Sequence, residues 1–83
     1  MKKQTFFAVS KCLKIEKGND AIFHFKGFYS GIHVKEIRIP KGEFFSPGAE
    51  YLLELIIDHF RRQVLYARVL RYRNLGEFKE EIF

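Results

Sequence analysis

The chain is short of cysteine, has no tryptophan, only two prolines and no long apolar run. Each shortage removes a class of protein. Cys12 is the sole thiol, so neither an intrachain disulfide nor a multi-cysteine metal site can be built. A small secreted domain would carry several bridges, so the expected setting is reducing and cytoplasmic. His24, His33 and His59 fall in no metal-ligand spacing, and no metal or cofactor is expected. The longest apolar stretch, Tyr51 to Ile57, contains Glu54 and covers about a third of a membrane span. Phe6 to Val9, following Met1-Lys2-Lys3, falls short of the ~7–15 apolar residues of a signal-peptide core. No membrane partner is expected.

What remains is apolar enough to fold. Of 83 residues, 47% are hydrophobic and 17% aromatic, with ten Phe and four Tyr, which excludes a disordered tail. That length holds one core, so residues 1–83 read as a single domain. The net charge of +5 is carried by residues 1–40. In the neutral remainder the signs separate: Glu43, Glu50, Glu54 and Asp58 precede Arg61, Arg62, Arg68, Arg71 and Arg73. A basic surplus favours a polyanionic partner without identifying one.

From Gln4 to Glu16, Phe7, Val9, Leu13 and Ile15 recur at period two, which predicts a strand with those side chains on its apolar face. Lys17-Gly18-Asn19-Asp20 is a turn signal, and Ala21 to Tyr29 follows as a hairpin partner. Gly27 inside it marks a bulge or a close backbone approach. A third strand, Ile32 to Ile39, stops at Pro40, which cannot donate a ladder bond. The Pro- and Gly-rich stretch 40–49 is expected to plug one end of the fold with Phe44 and Phe45.

Residues 49–73 admit two readings. Ser46 could cap a helix over about 47–62, with Pro47 in its first turn and acids ahead of bases along the dipole. As strands, Tyr51, Leu53, Leu55 and Ile57 form one apolar face, Asp58 to Arg62 turns, and Leu65, Ala67 and Val69 face inward from the next strand. The strand reading is preferred. It makes the chain all-β with five strands; the helix reading makes it α+β, three strands followed by a helix and a further strand.

Strand number and order resemble the oligonucleotide/oligosaccharide-binding (OB) barrel, five strands in a partly open Greek key. An SH3-like barrel shares much of the pattern. The resemblance implies a non-catalytic domain that binds single-stranded DNA or RNA on a sheet face. In an extended Gln63–Arg73 segment, Tyr66, Arg68 and Tyr72 share the outer side, where rings stack on bases and Arg neutralises phosphate. Lys26 and Phe28 on the second strand extend that surface, and Arg61, Arg62, Arg71 and Arg73 line its edge. The competing expectation is a solvated face whose arginines pair with Glu50, Glu54 and Asp58. A protein partner or homo-oligomer would instead use exposed apolar side chains such as Ile22, Phe28, Leu70 or Ile82. No grouping of nucleophile, base and orienting residue stands out, so an enzyme is not expected.

Overall fold

Period-two patterning produces a strand at each of the five expected places. The computed structural model describes residues 5–76. It holds β1 (Thr5–Glu16), β2 (Asp20–Tyr29), β3 (Ile32–Ile39), β4 (Glu50–Arg61) and β5 (Val64–Gly76). Pairing runs β1-β2-β3-β5-β4 and returns to β1, closing an all-β barrel. β1 serves two neighbours: Thr5–Lys11 pairs with β4, and Lys11–Glu16 with β2. The parallel seam is the shortest, with Glu36, Ile37 and Arg38 of β3 against Val64, Leu65 and Tyr66 of β5. The helix over 47–62 does not form. Tyr51, Leu53 and Leu55 are buried at strand period, and β5 lies opposite β4 along its whole length.

The core draws on every strand: Phe23 from β2, Val34, Ile37 and Ile39 from β3, Tyr51, Leu53 and Leu55 from β4, Leu65 and Ala67 from β5. On β1 the expected face is reversed. Ala8, Ser10 and Cys12 point inward, while Phe7, Val9 and Leu13 are exposed. The large rings of Phe23, Phe45 and Tyr51 already fill the barrel, with centroids 4.9–6.0 Å apart. Beneath the middle of β1 these rings leave room only for small side chains; towards the strand's start Phe6 turns inward and packs on Phe25 and Tyr29, at 5.7 and 5.9 Å between ring centroids. A register shift between Cys12 and Lys14 then brings Ile15 back against the core, so that the face is not constant along the strand.

Bulges also re-aim β2 and β5. Between His24 and Gly27 the β2 ladder gains a residue. Gly27 sits under the Phe25 ring so closely that a Cβ would lie 2.8 Å from it. The expected close approach is therefore real. Ile22, expected to be exposed, is 1% exposed and lies apart from the inner cluster. Its register neighbours are Lys14 and Arg38, both tied to Glu16.

The turn expected at Asp58–Arg62 is displaced. β4 continues to Arg61, and the chain reverses at Arg62 and Gln63, with φ of 53° and 64°. Two left-handed residues match the twist of a two-residue hairpin, although neither is Gly or Asn. The 40–49 loop plugs the barrel end with Phe45, which is buried; Phe44 lies outside it at 4.3 Å and stays half exposed. The loop is pinned by Gly42 N–H to Asn19 O (2.7 Å), Gly48 N–H to Cys12 O (2.7 Å) and Ser46 N–H to the Tyr51 hydroxyl (2.8 Å). The segment after Gly76, with Ile82, lies outside the described residues.

Candidate functional site

Strand register sorts the nine residues singled out in the sequence. Across the outside of the barrel one row runs Lys14, Ile22, Arg38, Tyr66, His59 without a break. The adjacent row runs Lys11, His24, Glu36, Val64, Arg61. Tyr66 is half-buried because His59 stacks on it, with ring centroids 4.3 Å apart and planes 11° from parallel. Arg61, Arg62, Arg38 and Tyr66 line a polar hollow of about 330 Å³, together with Glu36 and Val64. The hairpin tip leans on β3 through Lys35 N–H to Gln63 O (2.9 Å), and Lys35 itself is exposed.

Farther along β2 and β3, Phe28 opposes His33 at 5.5 Å between ring centroids, and Phe28 is 67% exposed. Lys26 is exposed within the β2 bulge. Lys26, Phe28, Arg61, Arg62 and Tyr66 therefore gather on the β2–β3–β5 side and its hairpin tip. Arg68 borders that side, two residues beyond Tyr66 and opposite Ile56.

Tyr72 does not join them. Between Glu54 and Leu55 the β4–β5 register shifts, leaving Leu70 as the extra residue. The alternation of β5 inverts beyond it. Tyr72 then stands opposite the buried Leu53 and stacks among Phe44, Phe45 and Tyr51 at 5.1–5.8 Å, over the barrel's end. The expectation that residues 66, 68 and 72 share one outer surface is corrected accordingly. Arg71 and Arg73 face outward, but beside Glu54 and Leu52 on the β1–β4 side.

Charge pairing divides the cations. Arg68 meets Asp58 (3.3 Å) and Arg71 meets Glu54 (2.6 Å), as the solvated-face reading expected. Arg38 is clamped by Glu36 (2.8 Å) and Glu16 (3.0 Å). The Glu36 hydrogen bond and the two carboxylates hold its guanidinium charged even more firmly than usual. Lys14, and after it Arg38, draw the Glu16 carboxyl below the usual range. Lys26, Lys35, Arg61 and Arg62 have no carboxylate partner among the described residues. They supply the uncommitted positive charge of this side.

Arg38, Lys35 and His59 were not singled out in the sequence. The proximity of Arg38 to Tyr66 depends on the parallel β3–β5 register, a pairing between segments about 28 residues apart that leaves no local signal. His59 reaches Tyr66 across the β4–β5 hairpin, where a register shift next to Ile57 sets the two opposite each other. Among the described residues no group of His, Cys, Asp and Glu is arranged to hold a metal, and no helix is long and apolar enough to cross a membrane. No family model, curated protein or solved structure matches this chain.

Proposed function

We propose that the chain is a non-catalytic, OB-type domain that binds single-stranded DNA or RNA across the outer β2–β3–β5 side and the β4–β5 hairpin tip. The strand order supports the OB assignment, since that fold is a five-stranded Greek-key barrel whose second and third strands and β4–β5 loop carry ligand. The plug that a helix often supplies after the third strand is here Phe45 on a loop. A cytoplasmic setting belongs to the same proposal and rests on the lone, buried thiol.

One observation carries the reading. A stacked His59–Tyr66 pair closes one row, and the adjacent row ends at Arg61, next to Arg62, cations with no carboxylate to neutralise them among the described residues. Rings offer a base a stacking surface worth about 1–3 kcal/mol, and free cations offer its phosphates charge.

Fluorescence anisotropy with labelled twelve-residue oligo(dT) and oligo(U) tests the proposal. Four uncommitted cations imply a slope of about −2.8 for log K against log salt, hence roughly 50-fold weaker binding at 200 mM than at 50 mM. Tyr66→Ala should weaken binding by about 5- to 150-fold. Absence of binding to either oligonucleotide at 20 mM salt would refute the reading.

A further inference from the structure

The size order along β1 is inverted. Small Ala8, Ser10 and Cys12 are buried, while Phe7 and Val9 are 62% and 56% exposed. An antiparallel strand with one wet face ordinarily presents polar residues to water. Here Phe7 and Val9 of β1 and Leu52 of β4 face out instead, Leu52 at 38% exposure. Register sets Val9 beside Leu52 of β4, with Arg73 of β5 beyond it. The flanking rows are Phe7, Glu54, Arg71 on one side and Lys11, Glu50 on the other. Phe7, Leu52, Glu54 and Arg73 frame a shallow, mainly apolar hollow of about 230 Å³.

The rim identifies what covers this face. It carries both signs around an apolar centre: Lys11 stands beside Glu50, and Glu54 is held by Arg71 next to Arg73. A polyanion or an acidic peptide would be met by base alone. A second copy of the same surface, turned about a two-fold axis, sets Lys11 against Glu50 and Glu50 against Lys11 at the edge of the apolar centre.

We propose that the outer β1–β4 face is an isologous contact between two copies of this chain. A two-fold axis lying in the contact plane, along the strands and between β1 and β4, lays β1 of one copy over β4 of the other. Each Val9 then meets a Leu52, and each Lys11 a Glu50. The contact sits across the barrel from β3, so the Tyr66–His59 hollow of each copy stays open. It stands independently of the nucleic-acid reading.

Sedimentation equilibrium from 1 to 200 µM tests it, with circular dichroism to verify folding. The wild-type chain should reach about twice its 9.9 kDa monomer mass and keep it at high salt. Val9→Glu and Leu52→Arg should each return the mass to 9.9 kDa. Val9→Thr, which keeps β-branching and the strand, should weaken association at least 10-fold. Lys11→Glu and Glu50→Lys should each weaken it, and together restore it. A wild-type monomer throughout the range would overturn the proposal. So would a dimer indifferent to Val9→Thr in a folded barrel, or a charge-swapped double variant that stays monomeric.

Discussion

Replacing Arg62-Gln63 by Asn-Gly separates what the β4–β5 tip does for folding from what it does for binding. Both residues sit in the left-handed region, at φ of 53° and 64°. An ordinary L-residue there costs about 1–2 kcal/mol, because Cβ crowds the following carbonyl. Asn tolerates the conformation and Gly adopts it freely, so each substitution relieves part of that cost. Glycine's extra freedom in the unfolded chain takes back about 0.5–1 kcal/mol. The net gain should be about 1–2 kcal/mol. For a domain of this size, each kcal/mol raises Tm by about 4–8 °C. Loss of Arg62 should at the same time flatten the salt slope of oligonucleotide binding by about 0.7, one phosphate's worth. Thermal melting by circular dichroism reads the first effect and anisotropy at three salt concentrations the second. An unchanged or lowered Tm would refute the turn assignment. A raised Tm with an unchanged salt slope would remove Arg62 from the binding surface and leave the fold intact.

Two further outcomes follow from the packing. Gly42→Ala would place a Cβ 2.5 Å from Ala21 Cβ and 3.1 Å from two backbone atoms, so Tm should fall by the equivalent of about 1–3 kcal/mol of overpacking; a change under one degree in thermal melts contradicts the loop's placement. Burial pushes the Cys12 thiol above its ordinary value, with weak opposition from its hydrogen bond to Lys14 O. The native state therefore keeps its proton where the unfolded chain loses it. Cys12's contribution should be complete below the ordinary thiol range and decline as pH rises through it towards the raised native value. Urea titrations of wild type and Cys12→Ala between pH 7 and 10 should diverge in slope, and parallel curves would disprove the burial argument.

Strand positions could be read in the sequence because period two, Pro40 and the Gly18-Asn19 turn are local signals. Strand faces could be read only in part. Leu53, Leu55, Leu65 and Ala67 point inward as expected, because Asp58 and Leu70, extra residues of the β4–β5 ladder, fall outside the Leu53–Leu55 and Leu65–Ala67 alternations. Hydrophobic alternation alone puts Phe7 and Val9 inside; the rings arriving from β2, β4 and the 40–49 loop occupy the space beneath Ala8, Ser10 and Cys12, and alternation carries no information about that volume. Tyr72 was placed outside because one extra residue at Leu70, invisible to any alternation rule, inverts everything after it. The same bulge splits the arginine run between two sides of the barrel. The Arg62-Gln63 turn escaped because its residues are poor turn formers, and the closure of the neighbouring strands determines where the chain reverses.

The parallel seam has a further consequence. A ring is as secure as its shortest clasp, and this one is fastened by three residue pairs, Glu36–Val64, Ile37–Leu65 and Arg38–Tyr66. Breathing should begin there, and native-state hydrogen exchange should find the Val64–Tyr66 amides released at lower cost than those of the β1–β4 seam. Because Arg38 and Tyr66 lie on opposite sides of that clasp, any molecule gripping both would buckle the barrel shut.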